Sequence, residues 1–223
     1  NKAAGKMSGV LTVEDGVALD GKIERVDEFY QKGVRMIGLT WNYENSVGFP
    51  CSDDPELHKL GLKPFGLEVV SKMDELGMVV DVSHLSEGGF WDVVKHSKNP
   101  FMASHSCARA LCDHRRNLTD EQLRLMIREG SYVGMNFYPY FLANDGKADL
   151  ARVAEHIDHV CQLGGEHIVG FGSDFDGIDD NLNFKDYAGL PQVVDAIEKE
   201  FGAAACDKIC HGNALRIFKD VIG

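Results

Sequence analysis

Val79-Val80-Asp81-Val82-Ser83-His84 and, after a helix-length interval, Pro100-Phe101-Met102-Ala103-Ser104-His105 decide how this chain folds. Twice, a short apolar run rich in Val, Met and Ala stops on a Ser-His pair. Runs of that length bounded by turn signals suit buried parallel strands, with a helix between them. Two such strands present imidazoles at their C-terminal ends, where α/β barrels carry their chemistry. The competing reading is two unrelated histidines at strand ends, since one such histidine is ordinary and only the repeat is not. Arg115-Arg116-Asn117 follows shortly afterwards, and a guanidinium there could hold a carboxylate bidentately. Alone, an Arg pair reads more readily as solvated surface.

Working outward toward the N-terminus, residues 8–14 (Ser-Gly-Val-Leu-Thr-Val-Glu) read as a strand ending on the Glu14 carboxylate, with Asp15-Gly16 as a turn. Asp20 is placed to cap a helix with Ile23, Val26, Phe29 and Tyr30 on one face and Gly33 after it. A second strand over 34–40 leads to Trp41, and residues 42–63 form a polar loop long enough to be functional. Pro64 opens a helix that Gly77 stops.

Toward the C-terminus, Thr119 to Gln122 spell a capping box for a helix on Leu123, Met126 and Ile127. A strand over 132–137 reaches Tyr138. A helix on Leu150, Val153, Ile157 and Val160 follows, and a strand over 167–173 delivers Asp174-Phe175-Asp176-Gly177. Pro191 opens another helix. Gly212-Asn213 opens the last, with Leu215 and Phe218 expected inward. The helix positions of His156 and His159 read as solvated.

Six repeats of strand then helix imply a parallel sheet with helices outside. The competing open, doubly wound sheet would gather its site at one switch point. Here Glu14, Trp41, His84, His105 and Asp174 all fall at strand C-termini, which favours an α/β fold of the (β/α)8 TIM-barrel type with six βα units present. The expectation is a single metal-hydrolase barrel domain over residues 1–223, lacking its first two βα units. A period of two puts Val82 with His84, Ala103 with His105 and Gly172 with Asp174 on shared faces, with Ala103, Gly170 and Gly172 leaving room beside the ligands. Asp81 has the opposite parity to His84 and is read as structural.

The chain is 44% hydrophobic and 26% charged with net charge -12, which fits a soluble globular protein and argues against nucleic acid as a partner. No apolar run approaches the roughly 20 residues needed for a transmembrane segment. Six cysteines without a CxxC pair read as reduced thiols of a cytoplasmic protein. Cys206, Cys210 and His211 read as structural, being on a helix without a matching second cluster. Asn1 to Lys6 resemble the tail of a helix and carry no initiator Met, so a signal peptide is not legible.

Leu-Thr-Val-Glu14, Pro64-Phe65-Gly66, Asp81 to His84, Ser104-His105-Ser106, Arg115-Arg116-Asn117, Asn136-Phe137-Tyr138 and Gly172 to Gly177 together resemble the membrane (renal) dipeptidase family of zinc peptidases. The resemblance runs over essentially the whole chain and implies an amidohydrolase-type barrel with two zinc ions. It implies that Glu14 bridges the metals and that His84 and His105 bind one of them. It also implies Arg116 on the substrate's C-terminal carboxylate, Asp174 acting at the scissile bond and Tyr138 as a pocket wall. The substrate would be a small dipeptide, and a homodimer is compatible.

Two departures from the family pattern stand out. The His-x-Asp pair expected for the other zinc does not precede Glu14, so one metal site is largely missing from this chain. Where the pattern has a histidine after Leu39-Thr40, this chain has Trp41. An indole N–H can donate a hydrogen bond but cannot become cationic, and an aromatic pocket wall is the equal alternative. Three functions therefore compete: a zinc dipeptidase, a hydrolase of another small amide or lactam, and a non-catalytic metal-binding fragment.

Overall fold

A computed structural model describes residues 9–179, 182 and 186–223. Ser8 and the Asn1 to Lys6 stretch lie outside the described residues. The chain divides into two compact units, one taking in the residues up to Asn99 with Ile222, the other Pro100–Val221 with Gly223.

The first unit holds β1 (Leu11–Val13), β2 (Val34–Gly38) and β3 (Val79–Asp81), paired in parallel in that order. Helices α1 (Glu24–Gln31), α3 (Pro64–Leu76) and α4 (Glu87–His96) follow the strands in turn, and a short α2 (Pro55–His58) interrupts the long loop after β2. Proline at the start and left-handed Gly77 at the end bound α3, and Val69, Val70 and Met73 are its buried stripe. Ser86 caps α4 through its hydroxyl, which accepts from the Gly89 N–H. Asp20 does not cap α1: it sits in a left-handed conformation at the end of a 3-10 turn (Gly16–Leu19), and α1 starts from Ile23. Asp15 supplies the cap of that turn.

The second unit repeats the scheme with β4 (Met102–Ala103), β5 (Tyr132–Met135) and β6 (Val169–Phe171), again parallel and in chain order. Helices α5 (Asp120–Arg128), α6 (Pro139–Leu142), α7 (Leu150–Gln162) and α8 (Leu190–Phe201) follow. A closing helical run comprises α9 (Ala203–Asp207), a π-helical turn (Lys208–Gly212) and α10 (Asn213–Ile222). The capping box is present: Thr119 Oγ1 accepts from Gln122 N–H while Gln122 Oε1 accepts from Thr119 N–H. Gly172 allows β6 to pass close to the β4 end, because a Cβ there would collide with the Ser104 carbonyl. The room expected beside the ligands is therefore filled by backbone.

Leu215 points outward and is 62% exposed; Asn213, Ile217 and Val221, spaced by four, form the buried face of α10 instead. His156 is fully buried, contrary to the solvated reading, and His159 lies against Asp120 at 2.7 Å. No helix among the described residues is long and apolar enough to cross a membrane.

Candidate metal site

β3 ends at Asp81, β4 at Ala103 and β6 at Phe171, two or three residues before the histidines and Asp174. Strand alternation therefore does not aim these side chains. His84 and Asp174 instead adopt left-handed backbone conformations, with φ of 65° and 60°. Only a tight turn after each strand puts them there, a strained choice for residues with a Cβ.

In the first unit, Glu14 follows β1 and is half-exposed, while His84 is buried. Asp81 Oδ1 accepts from the Ser83 N–H and shapes the turn into His84. The His84 ring is held at Nδ1 by Asn42 Oδ1, 3.1 Å away, and its Nε2 lies 3.2 Å from Glu14 Oε1. Because Asn42 Oδ1 can only accept, Nδ1 carries the hydrogen. In the neutral ring, Nε2 then turns its lone pair toward the carboxylate. Two such lone pairs facing each other call for a cation between them, either a proton or a metal ion.

Asn45 ties the loop after β2 to the end of β1. Its amide donates to Asp15 Oδ1 and the Leu39 carbonyl and accepts from the Val47 and Gly48 N–H groups, which uses its full capacity. Further along, the loop is stitched to the His84 turn: Cys51 N–H donates to the His84 carbonyl and Ser86 N–H to that of Phe49. Trp41 is 40% exposed, edge-on to Tyr43, with its ring centroid 6.4 Å from that of His84.

In the second unit, His105 is buried, with Nδ1 2.7 Å from Ser104 Oγ. Its carbonyl accepts from the buried Arg116 guanidinium at 3.2 Å. The segment between them is anchored from three sides. His156 Nδ1 accepts from Ala108 N–H while its Nε2–H donates to the Leu142 carbonyl. Asn117 donates to the Cys112 and Phe141 carbonyls, and Arg152 donates to the Leu111 and Leu142 carbonyls. The Arg116 guanidinium also lies over the Phe141 ring, 5.4 Å from its centroid.

Asp174 is half-buried, and its Oδ2 accepts from the fully buried Asn136 amide at 3.0 Å. Asn136 Oδ1 in turn accepts from the Tyr138 N–H, while the Tyr138 ring packs on Tyr140 and Phe141. Asn42, Asn45, Asn136 and His156 are the positioning residues that sequence reasoning missed. The long loop after β2 signalled the first two, and the Asn136-Phe137-Tyr138 motif the third.

Glu14 and His84 in the first unit, and His105 in the second, are donors of the kind that hold a metal ion. Two imidazoles and a carboxylate suit a borderline divalent cation.

Parallel strands each followed by a helix, with carboxylate, imidazole and guanidinium groups after the strand ends, give an α/β fold of the (β/α)8 TIM-barrel type, six of whose units are present here. Residues 1–222 match the family model "Membrane dipeptidase (Peptidase family M19)", and the chain belongs to that family. It is 38% identical over 223 residues to an uncharacterised protein of Klebsiella pneumoniae, a match covering 95% of this chain and 81% of that one. It is 33% identical to an uncharacterised dipeptidase of Schizosaccharomyces pombe, over 96% of this chain and 53% of that protein. Among solved structures it resembles a metallo peptidase from Rhodobacter sphaeroides liganded with a phosphinate mimic of the dipeptide L-Ala-D-Ala. There the TM-score is 0.89 and the identity 31%, covering 98% of this chain and 65% of that one. The chain thus spans about half the length of the curated dipeptidases it matches.

Proposed function

We propose that this chain carries the catalytic part of a zinc-dependent dipeptidase acting on dipeptides with a free C-terminal carboxylate. The observation that carries the reading is the approach of His84 Nε2 to Glu14 Oε1 at 3.2 Å, with Nδ1 committed to Asn42. That arrangement is complementary to a cation. In this reading Glu14, His84 and His105 hold one zinc ion. When bound, the metal supplies Lewis-acid polarisation of the scissile carbonyl and lowers the pKa of water at the site.

The protein's own groups supply the rest. Arg116, buried and fixed over Phe141, offers its guanidinium to the substrate carboxylate, which selects dipeptides over long chains. Asp174 is oriented through Oδ2 by the Asn136 amide. Oδ1 takes the proton from the attacking water and passes it to the leaving amine. Glu14 keeps His84 in register and balances charge. Trp41 and Tyr138 form walls of the substrate site, an indole and a phenol that exclude water from one side each. The phosphinate dipeptide mimic in the Rhodobacter relative supports the substrate class.

The test compares a dipeptide with its C-terminal amide in the full-length enzyme. Arg116→Lys should cost on the order of 1.5–3 kcal/mol in kcat/KM on the acid and much less on the amide. Equal losses on both substrates would remove Arg116 from substrate recognition. Turnover of cyclic amides without turnover of dipeptides would overturn the dipeptidase reading.

A further inference from the structure

Cys206 and Cys210 face each other sulfur to sulfur across the helical run that closes the chain. Their Sγ atoms are 3.5 Å apart. Residues four apart in a helix lie on one face, and here the second thiol belongs to the π-helical turn Lys208–Gly212. Such turns widen the helix locally and recur at functional positions.

The hydrogen-bond directions leave the sulfurs open to each other. The Cys206 thiol donates to the Val194 carbonyl of α8, so the hydrogen between the two sulfurs belongs to Cys210, which donates to Cys206. Cys206 is buried and Cys210 half-buried, so the pair is approached from solvent on the Cys210 side. Both are free thiols.

We propose that Cys206 and Cys210 form a bidentate site for a soft, thiophilic divalent cation of the zinc and cadmium class, separate from the Glu14 and histidine donors. The distance suits it. A cation about 2.3 Å from each sulfur would close an S–metal–S angle of about 100°, close to tetrahedral, without moving either thiol. Two S–H bonds give way to two S–metal bonds, two protons pass to solvent, and no electron is transferred. Water completes the coordination.

Asp207 and His211 take no part: they pair with each other at 2.9 Å on the exposed side of the turn. Burial is the main force pushing the Cys210 thiol up to about 12, and the hydrogen bond to Cys206 adds to it. Metal binding must displace that proton, so apparent affinity should rise with pH.

The full chain, loaded with zinc and freed of excess metal, is titrated with Cd2+, which displaces zinc from thiol ligands, while ultraviolet sulfur-to-cadmium charge transfer is followed. Imidazole and carboxylate ligands give no such band, so the signal reports the thiols and not the candidate catalytic site. The expected result is a band that saturates at a single cadmium ion per chain and is lost in Cys206→Ser. Cys210→Ser, at the half-buried position, should also lose it with an unchanged far-ultraviolet circular dichroism spectrum. Cys51→Ser should keep it. Absence of the band in the parent chain, or its survival in a folded Cys210→Ser variant, overturns the site.

Discussion

His84 and His105 follow consecutive strands in the same Ser-His dipeptide, yet the fold holds the two rings by different means. His84 stands at a φ of 65°, and its Nδ1 is held by Asn42, which arrives from the loop after another strand. His105 has its Nδ1 against Ser104, its own neighbour in sequence, and its loop is braced from behind by His156. One imidazole is aimed by tertiary structure and backbone strain, the other by local contact with buttressing at a distance. Identical sequence signals therefore do not imply identical engineering of the two ligands.

The largest effect tests what the two rings share. His84→Ala combined with His105→Ala should remove one bound metal ion per chain and, in the full-length enzyme, dipeptide hydrolysis. Metal analysis after gentle dialysis is the measurement, and zinc retained at the parent level would break the comparison at its root.

Next comes the buttress behind His105. Burial pushes His156 down to about 4 from its ordinary 6.5, with Arg152 and His159 acting in the same direction and the Leu142 carbonyl and Glu155 opposing. A depressed imidazole pKa means the folded state refuses a proton that the unfolded chain accepts. The stabilisation is fully present above pH 6.5 and is lost as the pH falls from 6.5 toward 4. It amounts to about 3 kcal/mol across that window. Denaturant unfolding of the parent chain should show this slope, and His156→Gln should flatten it. An unchanged slope would remove His156 from the buttress.

A smaller difference separates the two ring partners. Asn42→Ala frees the His84 tautomer and should weaken metal affinity by about 10–100-fold. Ser104→Ala should cost less, since the loop behind His105 keeps its other anchors. Competition with a chelator measures both, and equal losses would erase the contrast.

The smallest effect isolates the strain. On the metal-free chain, His84→Gly should cost about 1 kcal/mol less than His105→Gly, because glycine takes the left-handed conformation without a Cβ penalty. Denaturant midpoints decide this.

Much of the architecture was legible in the chain itself. Short apolar runs gave the six strands, Pro64 and Gly77 bounded their helix, and Thr119 with Gln122 marked another, because these signals act between residues one to four apart. The ordered motifs around Glu14, His84, His105, Arg116 and Asp174 were legible for the same reason: each is contiguous. What the chain alone could not show is where extended structure stops. The parity argument failed at His84 and Asp174 because both sit beyond the last paired residue of their strands, in left-handed turns.

The inward side of α10 carries Asn213 and not Leu215, because the Asn213 amide bonds the Glu166 and Val169 carbonyls. His156 looked solvated on its helix because nothing nearby in sequence announces the Ala108 N–H and the Leu142 carbonyl. Sequence by itself determined which groups are available and which element carries each. Tertiary structure decided which amides aim the His84 ring and the Asp174 carboxylate, since hydrogen bonds between residues about 40 apart exist only once the chain is folded.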